Sequence, residues 1–123
     1  MELGIVGLGR MGGNMARRLL VGGHRVVAFA PTEQAVASAV GWGAVGASSL
    51  TELVTKLVPP RAVWVMVPSG KPTEDTVNQL AALLSADDVV VDGGNSNYKD
   101  SMRRGAALSQ KGILFLDAGT SGG

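Results

Sequence analysis

The chain has 123 residues, of which 46% are apolar, with 11 Lys and Arg against 10 Asp and Glu for a formal charge of +1, and it contains no cysteine. That describes a single globular domain with an ordinary core, and the near-neutral balance leaves no electrostatic footprint for nucleic acid or an anionic membrane. The missing cysteines exclude disulfides, cysteine metal sites and thiol catalysis, no run approaches the roughly 18 apolar residues of a membrane span, and the first residues read as a strand rather than a leader, so the expected location is cytoplasmic.

Residues 2–6 form the first predicted strand, which runs directly into Gly7-Leu8-Gly9-Arg10-Met11-Gly12. Residues 10–21 read as a helix with Met11, Met15 and Leu19 on one stripe and Arg17 and Arg18 off it, ended by Gly22-Gly23. A second strand follows at 25–30; Thr32 is placed to cap a helix reaching about residue 40, and 43–46 leave room for a short third strand. Ser49 caps a brief helix over 50–57, closed by Pro59-Pro60. Residues 62–67 are an unbroken apolar run, the pattern of a strand buried on both faces of a parallel sheet, ending at Pro68. Pro72 and Thr73 open a helix with Val77, Leu80, Ala81 and Leu84 inward; 89–91 are a fifth strand, 97–110 a helix and 113–116 a sixth strand. Arg103-Arg104, like Arg17-Arg18, is expected on a solvated helix face.

Repeated strand–helix units require right-handed crossovers. They predict an α/β fold, a doubly wound parallel (Rossmann) sheet in the order 3-2-1-4-5-6. In such a sheet, ligands bind beyond the carboxyl ends of the strands, where the order reverses. The glycine motif lies there: Gly7 permits the tight turn, Gly9 lets bare backbone approach a pyrophosphate, and Gly12 lets the helix pack on the strand. Glycine, at 18 residues, gathers at strand ends. On the same edge fall Val67-Pro68-Ser69-Gly70, Asp92-Gly93-Gly94-Asn95-Ser96 and Asp117-Ala118-Gly119-Thr120-Ser121-Gly122-Gly123. These loops offer amides and small hydroxyl or amide side chains to a polar, anionic ligand.

Gly7-Leu8-Gly9-Arg10-Met11-Gly12, Val65-Met66-Val67-Pro68, the Asp92-Gly93-Gly94-Asn95-Ser96 loop and Gly119-Thr120-Ser121-Gly122-Gly123 together resemble the amino-terminal domain of the 6-phosphogluconate dehydrogenase family, in its shorter form. The resemblance covers essentially the whole chain. Its discriminating part is the Asp-Gly-Gly-Asn-Ser loop, which the wider 3-hydroxyisobutyrate dehydrogenase-like superfamily generally lacks. It implies oxidation of 6-phosphogluconate by hydride transfer to a nicotinamide, then loss of carbon dioxide to give ribulose 5-phosphate in the pentose phosphate pathway, by a homo-oligomer. The small-molecule partner is then a phosphorylated sugar acid. Carried over by position, Gly7, Leu8, Gly9, Arg10, Met11 and Gly12 would surround the pyrophosphate. Ala30 and Thr32 would border the adenosine ribose, and Val67 and Pro68 the nicotinamide. Asn95 would stand between cofactor and substrate, or cap the next helix, or do both; Ser121, Gly122 and Gly123 would hold the substrate.

Two departures from the family pattern matter. An NAD-specific site places Asp or Glu about 20 residues beyond the glycine motif, at the end of the second strand. Here that point reads Ala30-Pro31-Thr32, with Glu33 belonging to the following helix. A carboxylate would repel a 2′-phosphate, so its absence favours NADP over NAD. The arginine of NADP-using relatives is replaced by Pro31, leaving the Thr32 hydroxyl and Arg10 as the groups at hand. The second departure is that Ser121-Gly122-Gly123 is where the family continues into the all-helical domain that supplies its catalytic Lys and Glu. Lys56, Lys71, Lys99, Lys111 and His24 read as surface or helix-end residues, Trp42 and Trp64 as packing residues, and no residue here is assigned a catalytic or metal-binding role. The expectation is an NAD(P)-binding domain over 1–123, with the catalytic helical domain outside this chain and little turnover by the chain alone. Two alternatives stand beside it: a domain of a related 3-hydroxyacid dehydrogenase, and a nucleotide-binding module without catalysis.

Overall fold

The computed structural model describes residues 1–68, 70–94 and 98–118, Tyr98 by its backbone alone. The elements are β1 (Glu2–Val6), α1 (Arg10–Val21), β2 (Arg25–Phe29), α2 (Glu33–Gly41), β3 (Val45–Gly46), α3 (Leu50–Thr55), β4 (Ala62–Val65), α4 (Lys71–Leu83), β5 (Val89–Asp92), α5 (Tyr98–Ser109) and β6 (Leu114–Asp117). All strand pairs are parallel and the order is β3-β2-β1-β4-β5-β6, the Rossmann arrangement expected from the alternation. The order in which strands are added to the sheet reverses between the parallel neighbours β1 and β4, where Gly4 faces Val63 and Val6 faces Val65.

Local signals account for the element boundaries. The Ser49 hydroxyl accepts the Glu52 N–H at 3.0 Å and the Glu52 carboxylate accepts the Ser48 N–H at 2.8 Å, a reciprocal cap that starts α3. That backbone bond from Ser48 is the main reason the Glu52 carboxyl lies below its ordinary range. Thr32 sits at the cap position of α2, but its side chain makes no capping bond.

Side-chain alternation on the strands splits the core into two layers. Val6, Val27, Val63, Val65 and Val90 face one side and pack with Leu53 of α3, Val77 and Leu80 of α4 and Leu108 of α5. Leu3, Ile5, Val26 and Ala28 face the other, against Ala16 of α1 and Ala39 of α2. Two expectations are corrected here. The run 62–67 yields a strand only over Ala62–Val65, with Val63 and Val65 buried but Ala62 and Trp64 partly exposed. The reason is that α1 and α2 pack over β1, β2 and β3, so cover on that face thins towards β6, where Leu114 and Leu116 are half exposed. On α1, Met11 is 54% exposed while Gly12, Gly13 and Ala16 take the inner face. The helix lies too close to the strands for a long side chain there. Among the described residues no helix is long and apolar enough to cross a membrane.

Candidate functional site

The carboxyl end of β1 turns into α1 through residues whose spacing the backbone enforces. Gly7 has φ +98°, a conformation L side chains rarely adopt, and its N–H donates to the Phe29 carbonyl at 2.8 Å, pinning the turn to the end of β2. A methyl group on Gly12 would overlap the Gly7 carbonyl, so helix and turn touch through bare backbone. Gly9 is different. Its immediate chain neighbours aside, no atom of the described residues lies within 4 Å of where its Cβ would stand.

Gly9 is also the amino-terminal cap of α1, and it has no side chain to make a capping bond. The first intrahelical bond described there runs from the Gly13 N–H to the Gly9 carbonyl at 2.7 Å, so the amides of Arg10, Met11 and Gly12 have no helical acceptor. No acidic residue occupies the first turn. A positive helix end with free donors, beside a glycine that leaves space open, has the chemistry of an anion cradle.

That end opens into a cleft of about 990 Å³. One wall is Gly7, Leu8, Gly9, Arg10, Met11 and Gly12; a second, at the end of β2, is Ala30, Pro31 and Thr32 with Ala35 beyond; the opposite side is Met66, Val67 and Pro68 after β4. The sequence-predicted residues among those described therefore meet in one hollow at the strands' carboxyl edge. Asn95, Ser121, Gly122 and Gly123 lie outside the described residues.

The structure adds lining that sequence reasoning missed, namely Pro72, Asp75 and Thr76 from the first turns of α4, while Gly93 and Gly94 after β5 line the cleft on the edge where their loop was expected. A signal for the helical part existed in the position of α4, which starts at the same sheet edge as the glycine motif. Of the charged lining residues, Arg10 is exposed and Asp75 pairs with Lys71 at 3.2 Å. Glu33, in the first turn of α2, is not part of the lining.

The two glycines after β5 serve the protein's own packing. A methyl on Gly93 would collide with the Met66 sulfur, and one on Gly94 would stand 2.6 Å from the Val67 carbonyl oxygen. The loops after β4 and β5 are thus held in direct contact, with the Gly94 N–H donating to Asp92 Oδ1 at 2.8 Å.

Behind these loops lies a charge network. Arg103 clamps Glu74 through two bonds of 2.9 Å, and Arg104 Nε donates to the same carboxylate at 3.0 Å. These bonds, Arg103's foremost, hold the Glu74 carboxyl down at about 2. Arg104 Nη1 stands 3.7 Å from Asp92 Oδ2, and Ser101 Oγ donates to Asp117 Oδ2 at 3.0 Å. The expectation that Arg103-Arg104 lies on a solvated face holds for Arg103 and fails for Arg104, which is 3% exposed, because α5 turns that position toward α4 and the end of β5. His24 is partly exposed beside the carboxyl end of α1, and Arg17 lies over the ring of Trp42 at 5.2 Å.

Residues 2–123 match the family described as the NAD binding domain of 6-phosphogluconate dehydrogenase. The chain is 47% identical over 123 residues to the NAD(+)-dependent, decarboxylating 6-phosphogluconate dehydrogenase of Haloferax volcanii, covering 100% of this chain and 40% of that protein. Among solved structures, 3-hydroxyisobutyrate dehydrogenase of Mycobacterium tuberculosis superposes with TM-score 0.89 at 28% identity, over 99% of this chain and 41% of that one. The 6-phosphogluconate dehydrogenase of Plasmodium falciparum, a structure that includes the complex with its cofactor NADP+, superposes with TM-score 0.83 at 23% identity, over 94% and 26%. The last likeness is one of fold. The chain thus spans about two fifths of the length of the curated relative it matches.

Proposed function

Since the chain belongs to the family of 6-phosphogluconate dehydrogenase NAD-binding domains, we propose that its cleft holds a nicotinamide dinucleotide for the oxidative decarboxylation of 6-phosphogluconate to ribulose 5-phosphate. The observation that carries this reading is the amino terminus of α1 at Gly9, which has no side-chain cap and where, among the described residues, open space lies beside the glycine. The amides of Arg10, Met11 and Gly12 grip the diphosphate, with Gly7 and Leu8 shaping the turn beneath it. Ala30 and Thr32 border the adenosine ribose, and Val67 and Pro68 the nicotinamide. Asn95 stands between nicotinamide and sugar acid, and Ser121, Gly122 and Gly123 hold the sugar acid. The bound dinucleotide supplies a hydride acceptor.

The general acid and base of the reaction come from a helical domain outside residues 1–123, in a homo-oligomer. The end of β2 presents Ala30, Pro31 and Thr32 to the cleft and no carboxylate. Nothing there repels a 2′-phosphate, so NADP binds no worse than NAD. A second reading, service to a smaller unphosphorylated 3-hydroxyacid, has the 28%-identical hydroxyisobutyrate dehydrogenase in its favour. Titrating the chain with NADP+ and NAD+ tests the cofactor role directly. Saturable binding of both is expected, with NADP+ at least as tight; no measurable affinity for either overturns it.

A further inference from the structure

Arg104 is the one described residue whose side chain holds a buried polar atom without a hydrogen-bond partner, Nη1, and it lies between the start of α4 and the end of β5, both of which lead into the cleft lining. Its Nε donates to Glu74 on the first turn of α4, and its Nη1 is 3.7 Å from Asp92 at the end of β5. Glu74 is followed directly by Asp75 and Thr76, and Asp92 by Gly93 and Gly94; all four line the cleft. One turn earlier on α5, Ser101 binds Asp117, which faces Asp92 across the β5–β6 register. We infer that Arg104 is a positioning residue, a buried strut between Glu74 and Asp92 that sets how the α4 wall and the β5 loop stand to one another on the nicotinamide side of the cleft.

A bare ion pair would do no more than stabilise the fold. What marks a positioning role is that the guanidinium is a rigid fork facing carboxylates on two different elements, and that each carboxylate is one residue away from the cleft lining. The wall it sets is already tight, since Gly94 rests against the Val67 carbonyl and the Thr73 hydroxyl donates to the Pro68 carbonyl at 2.9 Å. A small shift of α4 against β5 is transmitted to both loops. The turn at 7–12 also packs on Met66 but has its own tie to β2, the Gly7 N–H to the Phe29 carbonyl.

This inference rests on the cofactor reading, and ADP and NAD+ as probes separate the two. ADP carries the diphosphate and adenosine, which the fold places at α1 and the end of β2; NAD+ adds the half that lies across the switch point. In Arg104→Lys the cation still neutralises Asp92 but cannot fork between two carboxylates. The dissociation constant for NAD+ should rise roughly five-fold or more while that for ADP stays within about two-fold. Glu74→Ala, which removes the α4 end of the strut and leaves Arg104 facing Asp92, should move the NAD+ constant in the same direction and spare ADP. Equal losses for the two probes, or no loss for either, overturn the positioning role. If the parent chain binds neither ADP nor NAD+, the cofactor reading fails and this inference falls with it.

Discussion

Gly12 lies directly beneath the carbonyl of Gly7, with no room between them for a methyl group, whereas Gly9, between them in sequence, faces open space. The two glycines therefore fail differently when substituted. Gly12→Ala forces α1 off the turn and should cost about 1–3 kcal/mol by overpacking, read as a lower midpoint in urea. Gly9 has φ −67°, which alanine adopts freely, so Gly9→Ala should unfold at nearly the parent midpoint while losing nucleotide binding. An alanine at Gly9 that binds as well as the parent removes the phosphate-cradle assignment.

A carboxylate introduced at the end of β2 should set the nucleotide preference. Thr32 is exposed on the cleft wall at the end of the loop that NAD-specific sites furnish with an acidic residue. Thr32→Glu should weaken NADP+ by about ten-fold through repulsion of the 2′-phosphate and leave NAD+ little changed. The ratio of the two dissociation constants is the readout, and an unchanged ratio means that Thr32 does not face the adenosine ribose.

Glu74 gives the chain a specific acid sensitivity. Its carboxyl, ordinarily near 4.5, is held at about 2 by Arg103 and then Arg104, so the folded state binds this proton less readily than the unfolded chain. The stability so gained is complete above the unfolded value and disappears as pH falls through the folded one. Thermal midpoints from pH 5 down to about pH 2 should fall less steeply for Glu74→Gln than for the parent. Parallel curves would show that the clamp contributes nothing in solution. Because Arg103 is largely exposed, raised salt should shrink the difference.

The opposite edge of the sheet supplies a control. Asp88 is fully buried and accepts the Arg61 N–H at 2.6 Å, Arg61 Nε at 3.0 Å and the Ser85 N–H at 2.8 Å. Arg61→Ala removes the counter-charge and the Nε bond while the two backbone N–H groups still hold the carboxylate, and should cost about 1.5–3 kcal/mol. Since β5 begins at this end and the cleft lies at the other, nucleotide affinity measured below the unfolding transition should match the parent. A specific loss of affinity would place the cleft's determinants more widely than residues 7–12, 30–32 and 66–68.

Much of the fold was legible because its signals are local. The hydrophobic periods, the Ser49 cap and the Gly22-Gly23 stop located every strand and helix to within a few residues, and their alternation dictated the strand order. The glycine spacing likewise announced the tight turn into α1 that edges the cleft. Less legible was the lining from α4, where Pro72, Asp75 and Thr76 carry no motif and read as an ordinary first turn. The capping bond expected from Thr32 is absent although the helix begins where predicted, so position there did not depend on that bond.

By itself the sequence determined which segments are strands and helices, and that a bare helix end meets the first turn, because those outcomes depend on neighbours three or four residues away. Tertiary structure alone decided which charges are buried and which apolar residues are not. Arg104 looks like its neighbour Arg103 in sequence and is sealed in only because Glu74, 30 positions earlier, and Asp92 are brought to it by two crossovers. Met11 looks like a core residue and is exposed because α1 approaches β1 through glycine. Burial is fixed by the distance between elements, and no local pattern encodes that distance.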